Sequence, residues 1–177
     1  MPYSLEEVVK ELDQMLLDQV VDSYAIGGAI AASFYGEVAT TEDVDVFVSF
    51  RPGASSLLID PSSVIQYFVA KGYSLFEDKV VIGGWPVQFL PPPSGLEEEA
   101  MERAVEMQDG DLKLRLFSRE HVAAIALATG RAKDRNRLIQ LREEGELDMR
   151  EFEKIVLAHE LSAAWAKFQD QFPMEPT

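Results

Sequence analysis

Cysteine is absent from this 177-residue chain. That excludes a disulfide framework, a thiol nucleophile and a cysteine-ligated zinc site. Histidine occurs only twice, at His121 and His159, which are 38 positions apart. A zinc site built on them needs a carboxylate that joins the two. Basic residues are scarce, with 16 Lys and Arg against 31 Asp and Glu, for a net charge of −15. Such a balance argues against extended nucleic acid as a partner, because that binding needs a cationic surface. It leaves room for a compact site that takes a nucleotide through metal ions. No apolar run approaches the length of a membrane span. The segment Met1–Glu7 has no basic stretch followed by an apolar one, so the expectation is a cytoplasmic protein without a leader or membrane contact. No Gly-x-Ser-x-Gly supports serine hydrolase chemistry.

What is present suits a folded domain: 47% of residues are hydrophobic, which excludes a mainly disordered chain. Ser4 with Glu7 reads as a capping box opening a helix over 5–18. Tyr24-Ala25-Ile26 runs into Gly27-Gly28 and then a small, apolar helix, a strand–turn–helix unit. Asp43 to Val48 reads as a strand closed by Arg51-Pro52-Gly53. Residues 61–71 read as a helix, and 73–76, 79–82 and 87–90 as strands. A hairpin of 103–108 and 112–117 around Asp109-Gly110-Asp111 competes with a helix through Ala100, Ala104 and Met107. Beyond Ser118 the pattern is helical: 118–129, 132–143, and one or two helices in 148–169. The expected organisation is a mixed α/β core over 1–117, a helical part over 118–172 and a flexible tail over 173–177. His121 reads as a capping or surface residue. Trp85 reads as core or as the lip of a pocket.

Three features carry chemistry. The sharpest is Asp43-Val44-Asp45. On a strand, alternate residues face one way about 7 Å apart, so both carboxylates aim at one point while Val44 and Val46 turn inward. Their repulsion is offset by a divalent cation, and oxygen donors without thiols favour magnesium. The plainer alternative is an acidic strand face in water. Second, Gly27-Gly28 before a helix lets backbone amides approach phosphates; a tight turn is the alternative. Third, Arg131, Lys133, Arg135, Arg137 and Arg142 place five of the 16 basic residues within twelve positions. That cluster suits a triphosphate or another anion. The alternative is a solvated face paired with Glu143 and Glu144.

Gly27-Gly28-Ala29, followed about fifteen residues later by Thr41-Glu42-Asp43-Val44-Asp45, resembles the signature of the nucleotidyltransferase fold superfamily, the polymerase-beta-like proteins. The run Thr129-Gly130-Arg131-Ala132-Lys133-Asp134-Arg135 is similar to a stretch of its small bacterial members, which include aminoglycoside-modifying enzymes and abortive-infection type transferases. The resemblance covers residues 22–50 and, more loosely, 118–142. It implies an α/β (α+β) fold with a mixed sheet, flanking helices and a helical C-terminal part. It also implies a nucleoside triphosphate donor with Mg2+. By this resemblance Gly27 and Gly28 hold phosphates, Asp43 and Asp45 bind metal, and Lys133 contacts phosphate or the acceptor. The acceptor would be a small molecule, a protein or an RNA end, and the oligomeric state is open. A third carboxylate usually completes such sites. Here the matching strand residue is Gln88, which can offer a carbonyl but takes no proton at neutral pH. Asp78 and Glu77 are substitutes. Ala39 is a second departure, where many relatives carry Arg or Ser. The alternative function is a catalytically degenerate relative that binds a nucleotide or a protein.

Overall fold

The computed structural model describes residues 3–36, 41–50, 61–143 and 146–173. The expectations at Ala39, Arg51-Pro52-Gly53, Glu144 and the last four residues of the tail lie outside them. The chain runs α1 (Leu5–Leu17), β1 (Ser23–Ile26), α2 (Gly28–Phe34), β2 (Val44–Ser49), α3 (Ser62–Ala70), β3 (Leu75–Phe76), β4 (Lys79–Ile82) and β5 (Trp85–Leu90). It continues as α4 (Gly95–Glu102), β6 (Val105–Asp109), β7 (Leu112–Leu116), α5 (Arg119–Thr129), α6 (Ala132–Glu143), α7 (Met149–Ala158) and α8 (Ser162–Gln171). The strands form one mixed sheet of seven, in the order β3-β4-β5-β2-β1-β7-β6. No helix among the described residues is long and apolar enough to cross a membrane.

Central β2 has the alternation expected of its sequence. Val44, Val46 and Val48 are fully buried, while Asp45, Phe47 and Ser49 face the other way and are half-buried. β2 runs antiparallel to β1 and parallel to β5. Helix α1 turns Val8, Val9, Leu12 and Met15 into the core. Its capping box closes only halfway. Ser4 Oγ accepts from Glu7 N, but the Ser4 N–H donates to Gly83 O at 2.7 Å instead of to the Glu7 side chain. Gly83 and Gly84, both at positive φ, make the two-residue turn between β4 and β5. A side chain on Gly83 would strike the Ser4 carbonyl, so this turn also anchors the N-terminal segment.

Several boundaries differ from expectation for local reasons. β3 starts at Leu75 because the Tyr73 N–H donates to Phe68 O and finishes helix α3. β5 starts two residues early and contains Pro86. That proline lies before the first β2 pair, Val44 with Val87, so its missing N–H breaks no bond to β2. Both readings of the 97–108 region hold in part: α4 runs through Ala100 to Glu102, and the hairpin begins at Val105. Trp85 packs on Tyr3 with ring centroids 4.6 Å apart, against the hydrophobic core.

The helices after β7 share one hydrophobic core with the sheet. His121 is not a surface residue. It is 1% exposed, with Nδ1 2.8 Å from Ser118 Oγ. Its Nε2 lies 3.6 Å from Glu99 Oε1, and His159 Nε2 donates to Glu99 Oε2 at 2.7 Å. Arg103 holds the same carboxylate at 2.9 Å and also grips Glu151. A carboxylate does join the two histidines, yet no group of three His, Asp or Glu among the described residues has metal-holding geometry. The cluster instead ties α4 to α5 and α7.

Two helix ends store backbone strain. Gln19 and Glu160 sit at φ 57° and 58°, each in a left-handed position that closes its helix. Val20 N–Met15 O and Leu161 N–Val156 O are the closing bonds, at 3.1 and 2.8 Å. Gln19→Gly and Glu160→Gly should each raise stability by about 1 kcal/mol in urea denaturation. Glu99→Gln should cost about 1 kcal/mol at neutral pH, with solvent screening limiting the loss. The His159 and Arg103 bonds hold the Glu99 carboxyl below its ordinary range. Its contribution is therefore full above that range and fades as acid protonates it, so the two proteins' melting temperatures should converge on acidification.

Candidate functional site

The β1–α2 connection places its glycines by the β1–β2 register. Ile26 pairs with Val46, and the Gly27 N–H donates to Asp45 O at 2.9 Å. The two glycines then do different jobs. At Gly27 a Cβ would lie 2.7 Å from the Phe47 ring and 3.0 Å from Phe117, so this glycine is demanded by packing. Gly28 has φ +59°, and a Cβ there would lie 2.1 Å from Asp45 Oδ2. The Asp45 carboxylate thus sits against the Gly28 backbone in space that any side chain would fill.

Asp43 lies just before β2, where the Thr41 hydroxyl donates to its carbonyl at 2.9 Å. Its carboxylate accepts from Lys79 Nζ at 2.5 Å. Burial pushes the Asp45 carboxyl up, and the Asp43 charge adds to the effect. Lys133, Lys79 and Arg137 oppose it. The parallel β2–β5 register sets Gln88 beside Asp45. These groups line one cleft of about 870 Å³, together with Gly28, Glu42, Glu77 and Glu97. Asp78 is not on its wall; Glu77 is.

Helix α6 forms the opposite wall. Asp134, only 1% exposed, accepts from Arg131 Nε at 2.6 Å and lies 3.7 Å from Arg137 Nη1. This buried carboxylate fixes both guanidinium groups at the cleft, with Lys133 beside them. The basic cluster therefore divides. Arg131, Lys133 and Arg137 line the cleft. Arg135 donates to Gly130 O and lines a second, smaller pocket between α5, α6 and α8, apart from the expected phosphate site. Arg142 donates to Phe172 O and covers the Phe168 ring. Gly27 is a packing residue and is not on the cleft wall, whereas Gly28 is.

The structure thus gathers Asp43, Asp45, Gln88, Gly28, Lys133 and Arg131 in one place and leaves Arg135 out. Sequence reasoning missed Lys79, whose only signal is its place on the polar side of the Lys79–Ile82 alternation. Asp134, too, has a role that only the structure reveals: it organises the basic wall. The donor set suits a magnesium ion. It is all oxygen, from two carboxylates and one amide, and magnesium is commonly held by one or two carboxylates plus substrate phosphates.

No protein-family model matches the chain, and no curated protein matches it. Solved structures do. One is an antigenic nucleotidyltransferase-like protein from Paracoccidioides brasiliensis, with TM-score 0.52 and 18% identity over 93% of this chain and 94% of that one. Another is the antibiotic-resistance factor ANT(2'')-Ia, with TM-score 0.51 and 13% identity over 94% of this chain and 96% of that one. At such identities the likeness is one of fold: the chain has a nucleotidyltransferase-like fold across nearly its whole length.

Proposed function

We propose that the protein moves a nucleoside monophosphate from a nucleoside triphosphate to an acceptor hydroxyl, with Mg2+. The observation that carries this reading is one cleft with Asp43 and Asp45 on its floor and Lys133 and Arg137 on the facing wall. Its volume lies in the range of about 300–1,000 Å³ usual for small-molecule sites. The nucleotidyltransferase-like neighbours support the same chemistry.

In this reaction the acceptor oxygen forms a bond to the α-phosphorus in line. The bond from that phosphorus to the bridging oxygen breaks, and pyrophosphate leaves. Magnesium, when bound, would supply alignment of the phosphates and neutralisation of growing charge there. Asp45 would hold the ion on the cleft floor, with Asp43 as the second carboxylate available there. The Gly28 backbone, Lys133 and Arg131 receive phosphate oxygens. Gln88 positions but takes no proton, so Glu77 is the carboxylate on the wall assigned to the acceptor proton. Glu42, Glu77 and Glu97 suit an acceptor with cationic groups. A small molecule or a protein fits that description, and the antibiotic-resistance factor among the structural neighbours supports the small molecule. The net charge of −15 argues against extended nucleic acid.

A second reading, a binding module without turnover, is favoured by Gln88 in place of an acid and by the Lys79 bond to Asp43.

Calorimetry with ATP, CTP, GTP and UTP, with and without Mg2+, tests the site. We expect at least one nucleotide to bind in a Mg2+-dependent way. The double variant Asp43→Asn, Asp45→Asn should weaken that binding by about tenfold or more. Equal binding by wild type and variant would remove the nucleotide from this cleft. Release of pyrophosphate then separates transferase from binding module.

Asp45 should also cost stability. Its carboxyl is raised by burial and by Asp43. The folded form therefore binds the proton more tightly than the unfolded chain, so Asp45 opposes folding increasingly as pH rises above the unfolded pKa and fully above the folded one. Asp45→Asn should melt higher than wild type at neutral pH. The gap should close as pH falls toward about 4.

A further inference from the structure

Three strands carry a lateral row across the cleft floor. β2 contributes Asp45 and β5 contributes Gln88, paired in parallel register. β4 runs antiparallel to β5 with Val80 opposite Val87, so Lys79 and Gln88 are the next residues on the two strands. Val44, Val87 and Val80, one step along each strand, are fully buried on the other side of the sheet. Asp45, Gln88 and Lys79 therefore share the cleft side as an anion, a neutral amide and a cation. Lys79 reaches past this row to Asp43, with Nζ 2.5 Å from Oδ2. Both side chains keep contact with solvent, at 20% and 29% exposure, so the pair can open without disturbing the core.

We propose that Lys79 is a tethered cation that holds the place at Asp43 which a divalent ion would otherwise take, leaving the cleft to engage a single ion through Asp45 and Gln88. A paired-carboxylate floor can bracket two divalent ions about 4 Å apart. Here one carboxylate is already neutralised from within the chain. A third acid at position 88 would stand next to Lys79 and draw it away from Asp43. Glutamine exerts no such pull. The neutral amide and the lysine thus work together: the first removes a competing anion, and the second replaces an ion. This makes Lys79 a determinant of how many ions the site accepts. It rests on the functional reading above, but its test needs no nucleotide.

The test is a titration of the full chain with Mn2+ alone, read by the loss of the free-ion electron paramagnetic signal. Lys79→Met should take up a second Mn2+ ion at free concentrations about tenfold or more below any at which wild type does, because Asp43 no longer holds an ammonium group. Lys79→Arg, which keeps the charge, should stay near wild type. Adding Asp43→Asn to Lys79→Met should abolish the gain. Thermal melts establish that each variant is folded, and Lys79→Gln replaces the methionine variant if that one is not. A Lys79→Met isotherm that superimposes on wild type overturns the proposal. So does a gain that survives Asp43→Asn, or one that Lys79→Arg shares. Failure of wild type to bind any nucleotide overturns the transferase reading alone, since the manganese titration still reports on Lys79.

Discussion

The seating of the Asp45 carboxylate on the Gly28 backbone is the contact around which the cleft is arranged. A carboxylate can come that close only where the facing residue has no Cβ and can adopt a positive φ. The β1–β2 register brings the two together, and the bond from Gly27 N to Asp45 O locks the arrangement. The phenylalanine pair Phe47 and Phe117 fills the space under Gly27 and supports the turn from below, with ring centroids 4.7 Å apart. Sheet register, glycine turn and core packing thus converge on one side chain. That side chain is also the most electrostatically burdened in the cleft, since burial and a neighbouring acid both oppose its charge. A fold that holds an unfavourable charge in place commonly does so for function.

Charge in the cleft is organised from both sides by ion pairs of different character. On the floor, a partly exposed lysine meets a partly exposed aspartate, in a form that can open. On the wall, a buried aspartate fixes two arginines, in a form that resists opening because the aspartate left alone would be a stranded buried charge. The floor can exchange partners while the wall keeps its shape.

Much of this was legible in the sequence because it depends on short-range rules. The Asp43-Val44-Asp45 alternation announces a two-faced strand, and the structure has Val44 and Val46 buried with Asp45 turned to the cleft. Helix α5 follows its caps from Ser118 to Gly130, and α6 runs from Ala132 to Glu143 as expected. The family resemblance points to Gln88 as the residue in the place of a third acid, and the parallel register sets it beside Asp45. The misses come from long-range pairing. Lys79 matters only once β4 is laid beside β5, and no local pattern links positions 43 and 79. Arg135 leaves the cleft because an α-helix advances 100° per residue, so five cations in twelve positions cannot share one face. His121 does join the Ser118 cap, but it is not at the surface, because its ring faces Glu99 of α4. Ser4 shows the same limit on a small scale, as its N–H found a partner 79 residues on.

The imbalance of charge also bears on how ligands arrive. A polyanion approaching a chain of net charge −15 meets a repulsive far field. Attraction begins only near the three cations of the α6 side, within about one Debye length, some 8 Å in physiological salt. Encounter should therefore be slow at low ionic strength and quicken as salt screens the far field, opposite to the behaviour of basic proteins that gather phosphates by steering. The cleft works as a short-range trap inside a surface that turns anions away. A ligand already carrying a divalent ion, with part of its charge cancelled, would reach it faster than the bare anion.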